Sequence, residues 1–200
     1  VFWGTVVDGI YQTDTAWNHM KAGKLLDIPI MMGYTDNEFL TSPQIGTQLL
    51  EINKEIEIKP ISSIELGVRT MCKILDEQDS KSPHFVYKFG PGIPGGDNPG
   101  AFHSSDLWFF FETLAKCWRP FEGKHYDLAR KMCNYWAAFI KNGDPNGLDA
   151  DGTLMEYWER YTDEIPNIMT FYDSPRMQEL PEGELLELMK RAYIEGKIDF

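Results

Sequence analysis

Gly100-Ala101-Phe102-His103-Ser104-Ser105-Asp106 is the stretch on which the reading of this chain turns, a histidine in a glycine-led loop. Upstream, His84-Phe85-Val86-Tyr87-Lys88-Phe89 reads as a strand; downstream, the aromatic run predicts a long helix over 106–115. A second passage from strand to loop lies earlier, where Ile28-Pro29-Ile30-Met31-Met32-Gly33 opens into Tyr34-Thr35-Asp36-Asn37-Glu38-Phe39. One loop carries carboxylates and the other an imidazole. In open sheets built from alternating strands and helices, reacting groups collect just beyond the carboxyl ends of strands. An acid followed by a histidine is the later two-thirds of a Ser…Asp/Glu…His constellation in one of its chain orders. The matching serine is missing, since no G-x-S-x-G occurs anywhere in the chain.

The rest of the sequence builds a scaffold around these loops. Residues 1–7 are β-prone and end at the turn dipeptide Asp8-Gly9. Thr13 and Asp14 are ready caps for a helix over 15–22, closed by Gly23. The run 28–33 is apolar throughout, as expected of a strand buried on both faces. Residues 42–78 show helical periodicity in two segments divided near Pro60, with Ile64, Val68, Met71, Cys72 and Leu75 on one stripe. The segment 90–100 is rich in glycine and proline and predicts a surface loop near the site. Leu107 to Phe111 is apolar all round, which predicts a helix sunk in the core. Leu128, Met132, Tyr135, Trp136, Phe139 and Ile140 mark an amphipathic helix ended by Asn142-Gly143-Asp144-Pro145. A last strand is expected over 168–172 and a last helix over 185–192. This alternation, without internal repeats, is α/β architecture. Three or four strands are few for such a sheet, so the remainder is expected upstream. Val1 stands in the middle of an apolar phrase and reads as a cut.

Composition bounds the partners. The 200 residues carry a formal net charge of −12, with scattered basic residues and no stripe for a polyanion. Neither nucleic acid nor an anionic membrane surface is expected as a partner. No apolar run approaches the ~18 residues that span a bilayer. Cys72, Cys117 and Cys133 show neither C-x-x-C spacing nor a His/Cys cluster, so no metal site is expected. Each sits in a helix-like apolar pattern, which predicts buried thiols in a reducing compartment such as the cytoplasm.

Four motifs in order resemble the C-terminal part of the type-B carboxylesterases, the family of carboxylesterases, cholinesterases and para-nitrobenzyl esterases. Val6-Val7-Asp8-Gly9, Gly23-Lys24 and Ile28-Pro29-Ile30 resemble that family's run into its penultimate catalytic strand. Gly33-Tyr34-Thr35-Asp36-Asn37-Glu38-Phe39 is similar to its acid loop, with glutamate five residues after the glycine. Gly100-Ala101-Phe102-His103, with Asp106, Leu107 and Phe110, resembles its histidine loop. Gly143-Asp144-Pro145-Asn146 and Trp158-Glu159-Arg160-Tyr161 resemble its closing signature. Many members carry glutamate where Asp106 stands and asparagine where Thr35 stands. The 65-residue spacing between the Glu38 and His103 positions is also short for the family.

The resemblance implies an incomplete α/β-hydrolase fold, a mostly parallel sheet flanked by helices. It also implies hydrolysis of a small-molecule ester through an acyl-enzyme, with no cofactor or metal. His103 would be the general base and Glu38 the acid that accepts its Nδ1–H. The nucleophilic serine and the oxyanion hole would come from the missing N-terminal portion of the same protein, so this chain alone is expected to be inactive. From the residues themselves Asp36 competes with Glu38, although Asp-Asn is also common turn chemistry; the family motif favours Glu38. His19, His84 and His125 are expected to be structural. Asp106 is read as a cap for the aromatic helix or as an orienter of the histidine loop, with capping preferred. The rival reading is a cholinesterase-like binding or adhesion protein that keeps the fold without catalysis, and retention of both Glu38 and His103 argues against it.

Overall fold

The computed structural model describes residues 6–41 and 43–198. Its elements run α1 (Ala16–Lys21), β1 (Ile30–Thr35), α2 (Pro43–Ile52), α3 (Ser63–Glu77), β2 (His84–Phe89), α4 (Leu107–Phe110), a 3-10 turn (Leu114–Lys116), α5 (Gly123–Asn142), β3 (Asn167–Phe171), β4 (Pro175–Glu179) and α6 (Glu184–Ile194). The four strands form one sheet in the order β1-β2-β3-β4. β1, β2 and β3 are parallel, and β4 returns antiparallel beside β3. The register pairs Ile30 with His84 and Thr35 with Phe89, so β1 and β2 end side by side.

Alternation along β2 divides the molecule into layers. Phe85, Tyr87 and Phe89 face α4 and α5, where they join Phe109, Met132, Tyr135 and the fully buried Trp158. Val86 points the other way with Tyr34 and Ile168, against Val68 and Cys72 of α3. A smaller core packs Ile45 and Leu49 of α2 and Leu66 of α3 on Leu185, Leu186 and Met189 of α6. Within the closing motif one side chain bridges both ends: Asn146 Oδ1 accepts from Trp158 N–H at 2.7 Å and its Nδ2 donates to Trp158 O at 3.0 Å. That exchange fixes an irregular segment whose tryptophan would otherwise have no regular ladder to hold it.

Several expectations need correction. Residues 1–5 of the β-prone opening lie outside the described residues, and Val6 and Val7 are exposed and in no strand. β1 begins at Ile30, because Pro29 has no N–H to give a ladder. It is only half-buried until Tyr34 and Thr35, since it is the edge of the described sheet. The long aromatic helix is one turn: Glu112 takes φ 48°, and Thr113 N–H closes on Trp108 O. Phe109 and Phe110 are buried, but Leu107 and Phe111 face outward. Asp106 gives its helix no side-chain cap. Of the thiols, Cys72 is buried while Cys117 and Cys133 are half-buried, and Cys117 lies just after the 3-10 turn rather than in an apolar stripe. β4 has no counterpart in the sequence reading.

Candidate active site

Each loop leaves its strand by extending the ladder. Asp36 N–H continues past β1 to Phe89 O at 2.9 Å, and Asn37 N–H reaches Ala101 O at 2.9 Å, so the two loops are joined main chain to main chain. Asn37 and Phe102 form a parallel bridge one residue from Glu38 and one from His103. Gly100 makes the approach possible. Its φ is 63°, and a Cβ there would collide with the Asn37 side chain. Beyond the histidine the chain turns sharply through Ser104, a non-glycine residue at φ 67°.

This zipping brings Glu38 and His103 together: His103 Nδ1 lies 2.7 Å from Glu38 Oε2. The other carboxylate oxygen, Oε1, accepts from Thr35 N–H at 3.1 Å. The Glu38 side chain is 5% exposed and that of His103 49%, an inner acid behind an open imidazole. Phe39 lies over the imidazole at 4.4 Å between ring centres and limits its tilt. With Nδ1 committed to the carboxylate, Nε2 is the nitrogen left for proton exchange.

Asp36 does not share in this pair. It binds the Lys88 ammonium at 3.1 Å and accepts from the Tyr172 hydroxyl at 3.2 Å. Burial acts to lower the pKa of Lys88, but the bond and charge of Asp36 outweigh it and the net shift is upward. Asp106 is buried below the histidine loop and accepts from the Tyr87 hydroxyl at 2.8 Å. Burial, the largest influence, pushes the Asp106 carboxyl above the ordinary carboxylate range; the Glu38 charge adds to this and the Tyr87 O–H opposes it. The Tyr87–Asp106 contact went unforeseen. The available signal was a tyrosine flanked by inward-facing phenylalanines, since a buried phenol needs a partner. His125 Nδ1 accepts from Glu122 N–H at 2.9 Å, His84 is buried at the foot of β2, and His19 sits beside Thr13. Among the described residues, no cluster of three or more His, Cys, Asp or Glu is arranged to hold a metal ion, and no helix is long and apolar enough to cross a membrane.

Comparison with known proteins follows the same lines. The profile described as the carboxylesterase family matches residues 58–189, more than half of the chain. No curated protein matches. Among solved structures, a PNB esterase superposes with a TM-score of 0.67 at 18% identity, over 94% of this chain and 44% of its own. The Geobacillus stearothermophilus carboxylesterase EST55 gives 0.59 at 23% identity, over 96% of this chain and 45% of its own. An esterase from Clostridium hathewayi, described as able to hydrolyse aliphatic aromatic polyesters, gives 0.58 at 21% identity, over 86% of this chain and 40% of its own. At these identities the likeness is one of fold. The chain spans less than half the length of each of these structures.

Proposed function

Because this chain belongs to the carboxylesterase family and carries part of an α/β-hydrolase fold, we propose that it is the C-terminal segment of one catalytic domain that hydrolyses carboxylic esters. The observation that carries the reading is the 2.7 Å contact between His103 Nδ1 and Glu38 Oε2, made where two adjacent parallel strands end. In this reading Glu38 fixes the imidazole tautomer, so that Nε2 presents a lone pair to a serine hydroxyl supplied by the upstream part of the same protein. As the serine oxygen attacks the ester carbonyl, its proton passes to Nε2. The resulting imidazolium is stabilised by the Glu38 carboxylate. When the ester C–O bond breaks, the imidazolium returns that proton to the leaving alcohol. Water then repeats the exchange on the acyl-enzyme and releases the acid. The half-exposed imidazole and nearly buried acid suit these roles, one meeting substrate and the other held dry.

The test is intact-mass labelling of the complete gene product with a serine-directed fluorophosphonate, beside a His103→Ala control. A single adduct upstream of this chain, abolished in the control, is the expected result. No adduct on a well-folded protein would overturn the proposal in favour of a non-catalytic binding protein.

A further inference from the structure

The segment that delivers His103 is wrapped around a cation. Arg119 lies between the 3-10 turn and α5, and its side chain is 7% exposed although it carries a full charge. Its fork meets Asp97 in both arms, Nη1 to Oδ1 at 2.8 Å and Nη2 to Oδ2 at 2.9 Å, and Nη1 also donates to Pro94 O at 2.8 Å. The guanidinium holds the exposed Asp97 carboxyl below its ordinary range. A Cβ at Gly95 would strike Nη1, so the backbone there closes on the fork as only glycine allows.

The same guanidinium lies over the ring of Phe102, 5.6 Å from its centre, and over that of Trp118 at 4.6 Å. Phe102 immediately precedes His103 and forms the bridge with Asn37. One side chain therefore grips the loop at its middle, through Pro94 and Asp97, and at its end, through Phe102. Its own base is firm. Two residues on, Phe121 packs edge-on against Trp108 and Phe109, the helix turn that follows the histidine. A bidentate arginine–carboxylate pair fixes direction as well as distance, which a lysine's point charge cannot do.

We propose that Arg119, clamped by Asp97, is the positioning residue that holds the histidine loop so that His103 stays aligned on Glu38. The inference rests on the reading of His103 as general base for its kinetic consequence, but its structural consequence stands without it.

The experiment uses the complete gene product carrying Arg119→Met, Arg119→Lys or Asp97→Asn. Three quantities are measured: kcat and KM for p-nitrophenyl acetate, the downfield proton resonance of a histidine N–H bonded to carboxylate (assigned with His103→Ala), and the melting temperature. Misplacement of a reacting group by about 1 Å costs on the order of 10²-fold. Arg119→Met is therefore expected to lower kcat at least about tenfold with KM within about twofold, and to weaken the resonance. Arg119→Lys and Asp97→Asn, which leave a cation near Phe102, are expected to move both in the same direction by less. If Arg119→Met does not fold, those two variants decide the matter by the same readouts. Folded variants with an unchanged resonance and unchanged kcat per fluorophosphonate-titrated site would overturn the proposal, even with a lower melting temperature, because Arg119 would then be structural only. If the wild type neither hydrolyses nor labels, the esterase reading fails while the resonance still decides the role of Arg119.

Discussion

Glu38→Gln isolates the proposed acid, because the two oxygens of that carboxylate have different duties. Oε1 accepts from Thr35 N–H and Oε2 meets His103 Nδ1. Glutamine offers one acceptor and one donor where glutamate offers two acceptors. The Thr35 N–H can only donate, and Thr35 is 1% exposed. Turning the amide oxygen away from it would orphan a buried donor at a cost of about 1–3 kcal/mol. The amide oxygen therefore stays on Thr35 and the –NH₂ faces Nδ1. The imidazole then places its proton on Nε2, the atom that must be empty to receive the serine proton. The productive tautomer carries that orphaning cost, worth roughly 10- to 100-fold, and the imidazolium also loses the carboxylate that stabilises it. Together these predict a kcat loss approaching 10⁴-fold, about 5.5 kcal/mol at 1.36 kcal/mol per decade. The assay is ester hydrolysis by the complete gene product, with the rate of fluorophosphonate labelling as a second reading. Asp36→Asn, which touches Lys88 and Tyr172 instead, is the control and is expected to stay within a few-fold of wild type. Glu38→Gln within tenfold of wild type, with Asp36→Asn the more damaging change, would refute the reasoning and make Asp36 the acid.

Two stability predictions follow from buried charge. Tyr87→Phe keeps the ring among its aromatic neighbours but takes the donor from the buried Asp106 carboxylate, at an expected cost of about 1.5–3 kcal/mol near neutral pH. The folded-state pKa of Asp106, already raised by burial, rises further in the variant, so the deficit appears as pH climbs through that pKa and fades in acid. Urea midpoints of both proteins at pH 7 and in mild acid check the sign, and a deficit independent of pH would exclude it. Lys190→Met removes an ammonium whose side chain is 1% exposed and bonded to Asp163, Glu182 at 2.8 Å and Glu187 at 3.1 Å. Each of those carboxylates keeps a second cation, Lys73 for Asp163, Arg69 for Glu182 and Arg191 for Glu187, so the expected cost at neutral pH is about 1–3 kcal/mol, less in acid as they protonate; a melting temperature unchanged from wild type would show the network to be dispensable.

What the sequence disclosed and what it withheld divide along physical lines. β2 was legible because alternating aromatics and a glycine at its end mark a strand and its exit, and α5 because six apolar side chains recur at helical spacing before Gly143. β4 was not: Pro-Arg-Met-Gln-Glu has no β-branched residue, opens on proline and is mostly solvated, so only its pairing with β3 makes it a strand. The end of α4 was hidden because a uniformly apolar run carries no periodicity, and the break at Glu112 is a matter of backbone conformation. Asp106 was misread for a related reason. A carboxylate before a helix is usually a cap, but a tyrosine hydroxyl from the neighbouring strand competes for it, and that contact spans 19 residues.

Glu38 and His103 were singled out by the likeness of their loops to carboxylesterase motifs, and the structure bears on how much of the proposed site this chain carries. Glu38 and His103 lie 65 residues apart, yet every tie that aligns them is made within the described chain: the parallel register of β1 and β2, the Asn37–Ala101 bond, the Gly100 approach and the Thr35 N–H behind the acid. None needs a residue from elsewhere. In the proposed reading, acid and base are aligned by this chain's own residues, and the half-exposed imidazole is the side left open to a nucleophile. The alignment is then as strong as the histidine loop is rigid. That loop is mainly glycine, proline and turn residues with no ladder of its own, which is why a buried guanidinium tying its middle to its end matters more than its distance from the imidazole suggests.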